Sequence, residues 1–252
     1  MLSMSRLRRV VLLQLAKAWK LGLPISVGRL VKVFGLNSGL VYKFLRELAR
    51  EGLVVEEARG SWRLCDAGKA LAGYALGSIP KNVYEYWAHV VPEVYYYIAE
   101  PPSIEWLGFP EKVLVIVDNA LEGRIEPPKN YIVVYKSMRG RRWRYDWDLG
   151  VSKGFAEQSL ADLLSYDLAY PVEQYILFNI NRVDIDEVAR RVTPNGLRRL
   201  ATFLAFFRLS SGKPVPTRLN YLSLADPEIL DRRLGEYIEL VYANGVAERR
   251  GI

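Results

Sequence analysis

The chain has 252 residues but only one cysteine, Cys65, and one histidine, His89. One cysteine closes no intrachain disulfide, so nothing marks an oxidising compartment. A single Cys and a single His fall short of a zinc ligand set. They also leave no Ser-His-Asp or Cys-His nucleophile system, so both read as structural. Long hydrophobic runs are missing too. Stretches such as Val10–Ala16 are broken by Gln14, bounded by Lys17, and far too short to span a bilayer. Arg6, Arg8 and Arg9 ahead of Val10–Leu13 imitate a signal peptide, but Gln14, Lys17 and Lys20 interrupt it. A cytoplasmic protein without a membrane partner is therefore expected. No Walker-type loop, dinucleotide glycine pattern or metalloprotease motif is present. The sequence gives no reason to expect an enzyme, a cofactor or a metal. Low Gln, Met and Cys beside abundant charge is compatible with a thermophilic source.

What the chain has is charge, and it is unevenly placed. The net charge is +7. Residues 1–76 hold 13 Lys+Arg against 5 Asp+Glu, and the other 176 residues hold 22 against 23. Half of all residues are apolar, so this is a globular composition and not a charged tail. A compact basic module on a near-neutral body points to nucleic acid as the partner of the first part.

That module has its own periodicity. In Arg6–Lys20, Leu7, Val11, Leu15 and Trp19 recur every four residues, which predicts one face of a helix stopped by Gly22 and Pro24. Ser26 is placed to cap a second helix running to Phe34, with Leu30, Val31 and Phe34 inward. Gly35-Leu36-Asn37 reads as a tight turn. Ser38 is expected to cap a third helix, Gly39–Glu51, with Val41, Phe44, Leu45 and Leu48 inward and Tyr42, Lys43, Arg46 and Arg50 outward. Leu53–Glu57, a turn at Arg59-Gly60, and Ser61–Leu64 predict a hairpin. Asp66 is expected to cap a fourth helix ending near Leu76.

The stretch ISVGRLVKVFGLNSGLVYKFLRELAREGLVVEEARGSWRLCDAGKALAG resembles the winged helix-turn-helix regulators of bacteria and archaea. The resemblance implies a third helix lying in the major groove, whose width suits an α-helix. The expected DNA-binding residues are Ser38, Tyr42, Lys43, Arg46 and Arg50 on that helix, and Arg59 and Arg63 on the wing.

Gly77-Ser78-Ile79-Pro80 suggests a boundary. The expected division is a winged helix-turn-helix domain over 1–78 and an α+β domain over 79–252. Its sheet would occupy about 83–153 and its helical half 154–252. Lys112–Asp118 and Tyr131–Ser137 read as strands, and Arg142–Asp148 as a third, with Met138–Arg141 the tip of a hairpin. Phe155–Ser165, Val172–Asn179, Ile185–Val192, Pro194–Leu209 and Asp226–Ala243 fit helices. The fold class is thus α+β: a winged helix-turn-helix, then a small sheet, then helices.

Three segments resemble the antitoxins of the AbiEi type: EPPSIEWLGFPEKVLVIVD, GFAEQSLADLLSYD, and VDIDEVARRV followed by GLRRLATFLAFF. Ala156 stands where that family usually has Pro, and Gln158 where it has Lys. The resemblance implies a repressor of its own operon that counteracts a nucleotidyltransferase-like toxin. The expected partners are therefore double-stranded DNA, that toxin and a second copy of the chain.

Four further groupings bear on function. Arg139, Arg141, Arg142 and Arg144 surround Trp143 and suggest a second contact to DNA or to an acidic partner, or else a solvated hairpin pairing with Asp146 and Asp148. Asp184 and Asp186 have the spacing of a Mg²⁺ pair. No Gly-Ser phosphate turn precedes them, so a helix cap at Asp184 with Asp186 in the first turn is the better reading. Tyr84–Tyr97 is crowded with aromatics, read as packing ahead of base stacking. Glu157 and Asp162 are read as a helix cap region and a surface or interdomain contact. The leading expectation is a DNA-binding transcriptional regulator. Its rivals are a nucleotidyltransferase-like enzyme with a DNA-targeting module and a winged-helix protein-interaction adaptor.

Overall fold

A computed structural model of the chain describes residues 4–76, 84–99 and 113–250. The expected linker at 77–80 lies outside them, as does all of EPPSIEWLGFPEK. The described residues form two compact units, one up to Phe155 and one from Ala156. The chain is mixed helix and sheet, of the α+β class.

The first unit begins with α1 (Met4–Lys20), β1 (Ile25–Ser26), α2 (Val27–Phe34), α3 (Ser38–Arg50), β2 (Val54–Ala58), β3 (Ser61–Leu64) and α4 (Lys69–Leu76). The three strands pair antiparallel in the order β1-β3-β2. Leu7, Val11 and Leu15 of α1 are buried, as are Leu30, Phe34, Val41, Phe44, Leu45, Leu48, Trp62 and Leu64. Ser26 caps α2 as expected, its hydroxyl accepting from the Arg29 N–H. Gly35, at φ +65°, ends that helix in the left-handed conformation that glycine adopts freely. The cap of α3 is Asn37, not Ser38: its side-chain oxygen accepts from the Leu40 N–H at 3.1 Å. Asp66 is likewise not a cap. It opens a short 3₁₀ turn ahead of α4 and faces Lys69 at 3.4 Å.

The same unit continues with α5 (Glu85–Val90), β4 (Tyr96–Ile98), β5 (Val113–Asp118), β6 (Tyr131–Lys136), β7 (Trp143–Asp146) and β8 (Val151–Gly154). These strands form one sheet in the order β6-β5-β4-β8-β7. β5 runs parallel to β6, and β4 pairs in parallel with β8; β4–β5 and β7–β8 are antiparallel. All six residues of β5 are buried, which matches its unbroken apolar run. The expected hairpin between β6 and β7 does not exist. The two strands lie at opposite edges of the sheet, because β6 takes β5 as its partner and β7 takes β8.

The expected boundary at 78/79 falls inside this first unit. Lys17 and Gln14 of α1 are fully buried, and both donate to the Glu93 carboxylate. The Glu93 carbonyl accepts from Trp143 Nε1 at 3.2 Å and from the Ser152 hydroxyl at 2.7 Å. Burial lowers the Lys17 pKa below its ordinary value, opposed by the attraction of Glu93. Around this bolt, Arg29 meets Asp118 at 2.8 Å, Arg124 donates to the Leu21 carbonyl at 2.8 Å, and Tyr95 donates to the Pro24 carbonyl. Phe34 packs on Tyr145 with centroids 4.7 Å apart. Removing Glu93 alone would strand a buried ammonium, so α1 is tied firmly to the sheet.

The second unit is helical: α6 (Ala156–Ser165), α7 (Ala169–Asn179), α8 (Ile185–Arg191), α9 (Pro194–Ser211), α10 (Tyr221–Leu224) and α11 (Pro227–Arg250). α6 packs against α7, α8 and α9, and α9 against α10 and α11. Thr193 caps α9, with Pro194 at its first position. Asp162, expected at the surface or at an interdomain contact, is buried in α6 and accepts from Gln158 at 3.0 Å. Ile238, Leu240 and Val241 of α11 are exposed.

Candidate nucleic-acid interface

The third helix is amphipathic. Val41, Phe44, Leu45 and Leu48 turn one face into the core. Spacing then puts Lys43, Arg46 and Arg50 on the opposite, exposed face, with Tyr42 half-buried at its border and Ser38 exposed in the first turn. The β2–β3 hairpin adds Arg59 and Arg63, both exposed. All seven residues expected to bind DNA therefore belong to one helix and the neighbouring hairpin.

Between helix and hairpin runs an open cleft of 740 Å³, lined by Tyr42, Lys43, Arg46, Arg50 and Arg59, with Glu47 and Glu56 at its sides. The two meet closely at Gly60, which has φ +74°. That φ favours glycine, and a β-carbon there would also sit 2.7 Å from the Tyr42 hydroxyl oxygen and push that ring aside. The Gly60 N–H donates to the Glu56 carboxylate at 2.6 Å, which engages one acid of the cleft. Glu47 faces Arg8 at 3.8 Å, and Glu57 faces Arg63 at 3.4 Å. Among the described residues Lys43, Arg46, Arg50 and Arg59 have no ion pair and no side-chain hydrogen bond. Four cations without protein partners, on a projecting helix and loop, can take phosphate oxygens or guanine edges.

The arginines around Trp143 are different. Arg141 donates to the Ser137 carbonyl at 3.3 Å and to the Tyr97 hydroxyl at 2.6 Å. Arg142 and Arg144 both stand over the Phe155 ring, at 4.9 and 5.6 Å. Only Arg139 projects without such a contact, its backbone N–H donating to the Ser137 hydroxyl. Trp143 at their centre is 2% exposed, because it stacks on Tyr97 at 5.9 Å and carries Lys32 on its face. Asp146 accepts from the backbone N–H groups of Asp148 and Leu149 and pairs with no arginine among the described residues.

Tyr84, Trp87, Tyr95, Tyr96 and Tyr97 are buried, so this aromatic run packs the core. Trp87 meets Tyr96 at 5.0 Å and Tyr131 at 5.6 Å. Burial holds the Tyr96 hydroxyl well above its ordinary pKa. Asp184 caps α8, accepting from the Glu187 N–H at 2.9 Å. Asp186 accepts from the Thr217 hydroxyl and from the Arg218 N–H at 3.0 Å, which lowers its pKa. The two carboxylates thus have separate structural partners. Among the described residues no three His, Cys, Asp or Glu side chains gather as a metal site would require. No helix there is long and apolar enough to cross a membrane.

Sequence reasoning passed over Glu93 and took Lys17 only as an interruption. The signal was a second stripe on α1, Val10–Gln14–Lys17 at spacings of four and three, which is buried like the first.

Comparison with known proteins finds no family model, no curated protein and no solved structure that matches the chain.

Proposed function

We propose that the chain is a DNA-binding transcriptional regulator, in which α2 and α3 form a helix-turn-helix and β2–β3 its wing. The observation that carries this reading is the set of unpartnered cations Lys43, Arg46, Arg50 and Arg59 along one helix–hairpin cleft. The covering of α2 supports it. Arg29 and Phe34 of α2 are engaged by the sheet, which leaves α3 as the helix facing solvent. Duplex DNA would receive α3 in the major groove and Arg59 and Arg63 along the flanking backbone. Arg139 is a candidate for a further backbone contact.

In this reading the protein works in the cytoplasm without catalysis of its own. A homodimer would place two α3 helices on successive half-sites, and exposed Ile238, Leu240 and Val241 on α11 offer an apolar surface for a second copy. An antitoxin-like role of the AbiEi kind, opposing a nucleotidyltransferase-like toxin, rests on the sequence resemblance.

The test is fluorescence anisotropy of the whole protein on its own upstream DNA and on scrambled DNA, across a salt series. Selective binding whose affinity falls steeply with salt is the expected result, since phosphate contacts release counterions. No binding at low salt would remove the DNA reading.

A further inference from the structure

A second group of cations lies in the helical unit, and it is arranged by repetition. Arg198-Arg199 on α9 and Arg232-Arg233 on α11 line one open cleft of 340 Å³. In each pair the second arginine is held by a carboxylate. Arg199 meets Asp167 at 2.9 Å and also donates to the Leu164 carbonyl at 3.0 Å; Arg233 meets Glu173 at 2.9 Å. In each pair the first arginine has no such partner. Among the described residues Arg198 and Arg232 make no ion pair and no side-chain hydrogen bond.

The walls of the cleft are fixed. Thr202 is buried, donates to the Arg198 carbonyl at 2.8 Å and accepts from the Asp226 N–H at 2.8 Å, joining α9 to the start of α11. The Asp226 carboxylate is engaged at that start, accepting from the Ile229 N–H at 3.2 Å. The acids of the cleft are therefore each occupied, and two guanidinium forks are not. Asp167 is also the one non-glycine among the described residues with a positive φ, +65°. Backbone held in that region concentrates at binding sites.

We infer that this cleft binds a small molecule bearing a diphosphate, with Arg198 and Arg232 each gripping phosphate oxygens. A guanidinium presents paired donors in a plane that match two oxygens of one phosphate. Two free forks on facing helices fit two phosphates, and the volume falls within the range of small-ligand sites. Arg199 and Arg233 add charge from fixed positions, and Ile229 supplies an apolar wall. The proposal does not depend on the DNA reading, since α3 and β2–β3 contribute nothing to this cleft.

Inorganic pyrophosphate is the first probe, titrated calorimetrically into the full chain without DNA, with sodium chloride added to hold ionic strength constant. Saturable binding is expected, and Arg198→Ala/Arg232→Ala should weaken it at least tenfold. Arg198→Lys/Arg232→Lys keeps the charge but removes the forks, so it should recover only part of the affinity and guards against a folding defect in the alanine variant. Arg182→Ala, which removes one exposed charge elsewhere in the unit, should leave binding unchanged. An equal response to added chloride, an unaffected double variant, or no saturable binding at millimolar pyrophosphate would overturn the proposal. Loss of duplex DNA binding in the double variant, with no pyrophosphate binding by the parent protein, would assign these arginines to the DNA backbone and overturn it as well.

Discussion

Two sets of basic side chains in the first unit look alike in sequence and have opposite fates. Lys43, Arg46, Arg50 and Arg59 surround a cleft and touch no acid among the described residues. Arg141, Arg142 and Arg144 lie as close together along the chain, yet they donate to Ser137 and Tyr97 or cover Phe155. What divides them is the neighbour. The outer face of α3 carries Glu47 as its acid, and Glu47 faces Arg8 of α1, so the cations of α3 stay without a carboxylate partner. The segment around β7 has ring faces and oxygens within reach, the Phe155 ring, the Ser137 carbonyl and the Tyr97 hydroxyl, and these capture its cations. Lys17 is the extreme member of the captured kind, fully buried against Glu93. Basic residues that sequence counting pools together thus divide into an unpartnered, solvent-facing class and a structural class.

The largest test concerns the captured extreme. Glu93→Leu alone leaves the Lys17 ammonium buried without its counter-charge and should cost about 3–5 kcal/mol in urea unfolding. Adding Lys17→Met should restore most of that loss, since it removes the buried charge, and should leave about 1–3 kcal/mol for the buried Gln14 amide, which has lost the same acceptor. A double variant as unstable as the single would mean that packing around Glu93, and not the charge pair, holds α1 to the sheet. Next in size is the free set. Lys43→Ala with Arg46→Ala should weaken DNA binding by about 1–3 kcal/mol for each side chain removed and flatten the salt dependence. Unchanged affinity would remove α3 as the reading helix.

Arg142→Ala with Arg144→Ala is the converse experiment. Each substitution removes a guanidinium from the Phe155 ring and should lower stability by about 0.5–1 kcal/mol. DNA affinity should stay within about twofold, because neither side chain faces the α3 cleft. If this variant bound DNA as weakly as the α3 variant, the division into two classes would collapse.

The helical elements were legible wherever a periodic apolar face met a clear stop. α2, α3, α6 and α8 start and end within one or two residues of the sequence expectation. The outward placement of Lys43, Arg46 and Arg50 was legible because amphipathic spacing assigns the outer face of α3 as firmly as the inner one. Pairing was not legible in the same way. The runs that became β5, β6 and β7 were visible, but β4 is three residues inside an aromatic stretch and β8 is four residues of VSKG. With those two hidden, β6 and β7 read as sequence neighbours that must pair, when β5, β4 and β8 in fact stand between them. Long-range pairing depends on partners far along the chain, which local pattern does not contain. The Lys17–Glu93 bolt was hidden for the same reason, its two members being 76 residues apart.

The smallest effect tests the start of α3, where the expected and observed caps differ by one residue. Ser38 and Asn37 are both good capping types, so composition alone could not choose between them. The backbone decides: Asn37 is extended at φ −76° and ψ 122°, and Ser38 is already helical. Asn37→Ala should therefore cost about 1 kcal/mol of stability, the usual value of a cap bond. Ser38→Ala should cost less than about 0.5 kcal/mol, as expected of an exposed site outside the cap bond. Ser38 nevertheless stands exposed in the first turn, beside the cations proposed to meet DNA. A stability-neutral Ser38→Ala that weakens DNA binding would extend the free class of residues to the tip of the helix. A Ser38→Ala variant that unfolds as readily as Asn37→Ala would instead return the cap to Ser38 and leave that tip with a purely structural role.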